Sequence, residues 1–169
     1  MKKQLIDFII KENISLNEQY SLLKLASELK LSNLRPGHFV EVLVDNSSST
    51  FLRRPLSISF YDEEKNEIWL LIQKVGEGTT QMCNKKVGEN LNLILPLGNT
   101  FTYENITNPL LIGGGVGVAP LLFLGAELNK KNIKVDFLLG ARSKKDILLY
   151  EKFLSYGNVY ITTEDGSMG

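Results

Sequence analysis

Cysteine is almost missing: the 169 residues contain one, Cys83. This excludes an internal disulfide and any multi-cysteine metal or iron–sulfur site built from this chain, and it fits a reducing, cytoplasmic setting. Histidine is as scarce. His38 has no second candidate ligand or base beside it, so it reads as structural rather than as a metal ligand. Net charge is absent too, with 19 acidic and 19 basic side chains, so nothing points to nucleic acid or an anionic membrane as partner. No two carboxylates form an evident catalytic pair, and no catalytic residue is assigned. Met1–Asp7 lacks a long apolar core and a small-residue cleavage site, so it is not read as a signal peptide. Pro109–Leu128 has the length of a membrane span and one charge, Glu127. Three consecutive glycines, a fourth at Gly117 and then Pro120 make it a poor continuous helix, and it reads as buried strand, glycine loop and helix.

What is present is organised around Phe51–Phe60. Pro55 fixes its own φ and pushes Arg54 towards an extended conformation. Leu56-Ser57-Ile58-Ser59-Phe60 then alternates as a half-buried strand, with Leu56, Ile58 and Phe60 towards the core and both serines on the other face. A guanidinium suits phosphate because it donates bidentate, charge-assisted hydrogen bonds. A hydroxyl at a strand start can meet a ring nitrogen. Arg54 and Ser57 therefore suit a flavin nucleotide, Arg54 at the pyrophosphate and Ser57 near the ring. The alternative is that Arg53 and Arg54 are solvated charges before an ordinary strand.

The chain length fits one domain or two small ones. In its first hundred residues, Lys3–Asn13, His38–Val44, Glu67–Val75 and Leu91–Leu95 read as strands. Tyr20–Leu31 is ambiguous: Leu22, Leu25, Ala26 and Leu29 have helical spacing in a strand-rich region. Asp45–Thr50 is a polar loop, Pro36-Gly37 and Val87–Asn90 are turns, and Trp69 and Cys83 are expected in the core. Gly76-Glu77-Gly78-Thr79 allows a low-profile backbone, with Thr79 as the N-cap of a helix running to about Asn84. A helix start attracts phosphate. A plain capped loop explains the same residues. Regular turns between five or six strands suggest a small antiparallel barrel.

The pattern changes near Phe101. Leu110–Ile112, Val135–Leu139 and Val159–Thr163 read as strands, with helices at Leu121–Lys130 and Lys144–Ser155. Strand and helix in alternation imply a parallel sheet. Gly113-Gly114-Gly115-Val116-Gly117-Val118-Ala119-Pro120, between strand and helix, is where a dinucleotide binds, although Pro120 stands where the usual fingerprint has a third glycine. A packing loop is the competing reading.

Arg-Pro-x-Ser, Gly-x-Gly-Thr and Gly-Gly-Gly-x-Gly-x-x-Pro, in that order, resemble the ferredoxin–NADP reductase superfamily. Within it the chain is most similar to the electron-transfer subunits of class 1B dihydroorotate dehydrogenases. Arg35–Val40, Pro96–Asn99, Gly140–Asp146 and Thr163–Gly169 support this, and the likeness covers essentially the whole chain. The resemblance implies an FAD-binding barrel over residues 1–100 and an incomplete α/β nicotinamide-binding domain over 101–169. It makes Tyr20–Leu31 a barrel strand. FAD contacts are expected at Arg54, Pro55, Leu56, Ser57, Leu71, Ile72, Gln73, Gly78 and Thr79. NADH contacts are expected at Gly113, Gly114, Gly115, Gly117, Val118, Pro120, Asp165 and Gly166. Electrons would pass from NADH through FAD and a [2Fe–2S] cluster to an FMN-containing dihydroorotate dehydrogenase catalytic subunit, in a cytoplasmic heterotetramer of pyrimidine biosynthesis.

The family holds that cluster on four cysteines near its C-terminus, and this chain has no such set. The chain is therefore expected to be truncated or a fragment, with its last strand an open edge. Two alternatives are a reductase subunit of another ferredoxin, oxygenase, sulfur or bifurcating complex, and a non-catalytic flavin-binding module. Arg142 and Lys144 suit a 2′-phosphate and would favour NADPH, whereas the resemblance favours NADH.

Overall fold

The computed structural model describes residues 2–45 and 50–169. The polar loop expected at Asp45–Thr50 lies largely outside them, at residues 46–49, as does Met1. Six antiparallel strands form a closed barrel in the order β1-β2-β5-β4-β3-β6. They are β1 (Gln4–Ser15), β2 (Tyr20–Ala26), β3 (Phe39–Val42), β4 (Arg54–Asp62), β5 (Glu67–Gln73) and β6 (Asn90–Leu97). A helix, α1 (Glu77–Asn84), joins β5 to β6. The second unit is a parallel sheet, β7 (Leu110–Gly114), β8 (Val135–Ala141) and β9 (Gly157–Thr163), with β8 in the middle. Two helices, α2 (Ala119–Lys130) and α3 (Tyr150–Leu154), make its crossovers. This is the expected fold class. β9 is an edge, as anticipated, and so is β7.

Two cores explain how the units meet. Alternate residues of β2 and β5 point inward (Leu23, Leu25, Ile68, Leu70, Ile72) and fill the barrel. Their neighbours (Tyr20, Leu22, Trp69, Leu71) point outward and join Val118, Leu122, Phe137 and Leu139 of the α/β unit in a second core. A strand buried on both faces loses the polar half of its alternation. The helical spacing over Tyr20–Leu31 therefore misleads: the segment is strand β2 to Ala26, with no helix after it.

Two other expectations are corrected. Phe60 does not face the barrel interior with Leu56 and Ile58. The β4–β5 register shifts between Ile58 and Phe60, so Phe60 turns to the shared core and Tyr61 turns inward. Ser59 is fully buried beneath α2 and donates to Ala119 O at 3.2 Å. Lys144–Ser155 is not one helix: a three-residue 3₁₀ turn at Lys144–Asp146 is followed by α3, and Leu149 between them is left-handed (φ 56°). Leu148 and Phe153 are thereby sunk in the core. His38 is buried, and its Nδ1 accepts from Arg35 N at 3.1 Å, a structural role. Trp69 and Cys83 are buried as expected. No helix among the described residues is long and apolar enough to cross a membrane.

Candidate functional site

The β4–β5 pairing that closes the barrel covers only part of the two strands. Their pairing begins at Ile58 and Leu70. Arg54, Pro55, Leu56 and Ser57 consequently pair only with β3, at Val42, Glu41, Val40 and Phe39. Leu71, Ile72 and Gln73 pair only with β2. Two strand edges thus diverge, each with unpaired backbone along the seam. Pro55, which has no N–H to donate, is tolerated because it sits on such an edge.

The two adjacent arginines part company. Arg53 is a structural brace, donating to Glu41 O (3.3 Å), Asn92 O (3.0 Å) and Asn92 Oδ1 (2.6 Å). Arg54 donates to Leu52 O at 3.1 Å and reaches across the seam to the start of α1. A Cβ on Gly78 would stand 3.3 Å from Arg54 Nε and 3.1 Å from Thr50 Cγ2, so glycine permits this approach. Arg54, Gly78 and Thr79 line one cavity of about 260 Å³. Both features singled out as phosphate sites in the sequence therefore meet in one corner. The expected cap is corrected: Gly76 is the N-cap and Thr79 lies at N3. Thr79 Oγ1 accepts from Val75 N (3.0 Å) and Gly76 N (3.2 Å) and donates to Gly76 O, fixing the turn from inside the helix.

The second site lies at the C-terminal ends of the parallel strands, the natural ligand position in such sheets. A cavity of about 460 Å³ is walled by Gly114 at the end of β7 and Gly115 just past it, Arg142 after β8 and Glu164 after β9, and on the barrel side by Tyr20 and Gln73. The glycines there divide by cause. Gly113 is a packing glycine, since a Cβ would be 2.8 Å from Leu121 Cδ1. Gly115 needs its left-handed φ of 51°. Gly117 is exposed and a Cβ there would meet nothing within 4 Å, so packing does not require glycine at that point. Pro120 occupies the first turn of α2, where its missing N–H costs nothing.

Of the residues expected at a nicotinamide, Gly114 and Gly115 line this cavity; Gly113 in β7, Gly117 and Val118 in the following 3₁₀ turn and Pro120 in α2 do not. Asp165 and Gly166 form the turn just past Glu164. Asp165 Oδ1 accepts from Ser167 N (3.0 Å) and Ser167 Oγ (2.6 Å), which holds its carboxyl below the usual carboxylate range. Gln73 joins the two sites, lying on the seam and lining the large cavity. Gln19, Tyr20 and Glu164 were missed, because no short motif marks them and Tyr20 opens the misleading segment.

A barrel with an opened seam, followed by a parallel sheet whose glycine turn faces it, is the architecture of the ferredoxin–NADP reductases, and the chain belongs to that superfamily. Among curated relatives it is similar to the dihydroorotate dehydrogenase B (NAD(+)) electron transfer subunit of Shouchella clausii, with 37% identity over 171 residues, covering 99% of this chain and 66% of the relative. The subunit of that name from Fusobacterium nucleatum is 34% identical over 166 residues, covering 96% and 64%. The chain thus spans just under two thirds of the length of these relatives. Among solved structures, an NADH-dependent reduced ferredoxin–NADP oxidoreductase described for flavin-based electron bifurcation superposes with a TM-score of 0.86 at 29% identity, covering 96% of this chain and 58% of that one. The ferredoxin reductase of carbazole 1,9a-dioxygenase shares the fold, with a TM-score of 0.85 at 18% identity, covering 100% and 54%. No family model matches the chain.

Proposed function

We propose that the chain is the flavin- and nicotinamide-binding part of a dihydroorotate dehydrogenase electron-transfer subunit, taking electrons from NADH to FAD for an FMN-containing catalytic partner in pyrimidine biosynthesis. Residues 1–100 form the FAD-binding barrel and 101–169 the nicotinamide-binding unit of a cytoplasmic protein. The observation that carries this reading is that Gln73 links the seam, with its corner at Arg54, to the glycine-walled cavity. A flavin lying along the seam would then meet a nicotinamide in that cavity.

The residues present fit FAD. Arg54 and the start of α1 would hold the diphosphate, while the unpaired edges at Leu56–Ser57 and Leu71–Gln73 would flank the ring. The bound flavin supplies the chemistry, accepting a hydride from a dihydronicotinamide and releasing electrons singly. The protein's share is orientation. Gly114 and Gly115 admit the nicotinamide close to the backbone, and Tyr20 and Gln73 limit water from the barrel side. The chain does not fit a [2Fe–2S] cluster: its one cysteine is buried in α1, where burial pushes the thiol pKa up.

A second reading has support of its own. The 29%-identical bifurcating oxidoreductase makes a reductase subunit of another complex a competitor. NADH added without oxygen should bleach the flavin of the purified protein, and orotate formation should follow only with a dihydroorotate dehydrogenase partner. A flavin that stays oxidised under NADH would refute the reductase reading.

A further inference from the structure

We propose that Asn17 is a positioning residue for dinucleotide binding, strapping the loop after β8 to the barrel at the mouth of the large cavity. The inference rests on the nicotinamide reading of that cavity. Asn17 sits at the tip of the β1–β2 hairpin. Its Oδ1 accepts from Gln19 N (2.9 Å) and Tyr20 N (3.0 Å). That double acceptance fixes which way the amide faces. Its Nδ2 is left to donate outward, to Lys145 O at 3.0 Å, and it approaches Asp146 Oδ1 at 3.4 Å.

The barrel end of this strap is firm. Lys74 N donates to Gln19 O (2.8 Å), Leu16 N donates to Tyr20 O (2.9 Å), and the Leu16 side chain packs on the shared core. The loop end is not firm by itself. It is a three-residue 3₁₀ turn with no buried residue. Lys144 N donates to Ser167 Oγ (2.8 Å), which holds the near side. The far side has the local bonds from Asp146 N to Ser143 O (2.9 Å) and from Ser143 Oγ to Asp146 Oδ2 (2.8 Å), and then Asn17. Arg142 and Asp146 at the ends of this loop line the large cavity, and with Asn17 they line a neighbouring one, also of about 460 Å³. A loop with few contacts of its own opens readily, so a bond from the rigid barrel sets how often Arg142 and Asp146 stand in place.

Asn17→Asp separates this role from general stability. It keeps the acceptor for both hairpin N–H groups, removes the donor to Lys145 O and sets a carboxylate against Asp146. In the full chain, FAD content and thermal midpoint should stay near wild type. Amide exchange at Asp146 and Ile147 should quicken, and the KM for NADH in flavin reduction should rise about five-fold, with little change in the limiting rate. Unchanged exchange in Asn17→Asp overturns the strap, and faster exchange without a rise in KM overturns its positioning role. A wild-type flavin that NADH never reduces sinks the nicotinamide reading instead. Amide exchange needs no nucleotide and still decides the strap: faster exchange upholds it and unchanged exchange refutes it.

Discussion

The barrel corner and the sheet mouth, the two places proposed to take phosphate-bearing ligands, are made of different material. At the corner, a side-chain cation from β4 meets a helix start across a gap that glycine keeps open. At the mouth the backbone itself is the surface, Gly114 and Gly115 where β7 passes into a 3₁₀ turn. A side-chain site fails when one side chain is removed. A backbone site survives truncations and fails when bulk is added or the backbone is forced from its φ. The two sites should therefore respond to opposite kinds of substitution.

The largest effect expected is at the corner. Arg54→Ala would remove the charge-assisted hydrogen bonds proposed to the FAD diphosphate, worth about 1.5–3 kcal/mol, and should weaken FAD roughly 10- to 100-fold in a protein that still folds. Arg53→Ala should instead lower thermal stability, because Arg53 braces β3 and β6. Equal loss of flavin without unfolding in both variants would erase the distinction between them.

Next comes the frame of the sheet unit. A Cβ at Gly125 would lie 2.3 Å from Phe137 Cζ, whose ring packs edge-on against Phe153 with centroids 4.9 Å apart. Gly125→Ala should cost about 1–3 kcal/mol of stability through overpacking, read from the thermal or denaturant midpoint. Smaller again is Gly115→Val, where a branched residue must adopt φ 51°, at about 1–2 kcal/mol. It should spare the flavin and raise the KM for NADH. Loss of flavin in Gly115→Val would mean that the two sites are not separable.

The smallest effect is a pH dependence belonging to the barrel alone. Burial, and then the nearby charge of Arg35, push the His38 pKa below its ordinary value. The folded state thus binds fewer protons than the unfolded one, so stability is full above pH 6.5 and falls as pH drops through the unfolded value towards the folded one. The slope is at most about 1.4 kcal/mol per pH unit. Protonation also removes the acceptor that Arg35 N uses. His38→Gln should flatten this slope in denaturant midpoints measured from pH 7 to 5.

Much of this was legible in the sequence, for identifiable reasons. The strand–glycine–helix pattern exposed the parallel sheet, and Pro55 marked a strand start. Tyr20–Ala26 was not legible from periodicity, because its outer face is covered by a unit that lies far along the chain. Nor was the meeting of Arg54 with Gly78: each was visible alone, while their contact depends on where the β4–β5 pairing stops. The bulge that turns Phe60 outward left no mark in an alternating segment. Gln19 and Tyr20 belong to the cavity, and Asn17 to its neighbour, only through tertiary placement, which short motifs do not encode.

The central claim is that the opened seam of this barrel holds a flavin. The visible absorption spectrum of the purified chain, with chromatography of any released flavin, tests it most directly. One FAD per chain is the expected result. A colourless protein that is folded by circular dichroism and refuses added FAD would contradict it, leaving Arg54–Ser57 as an ordinary strand start.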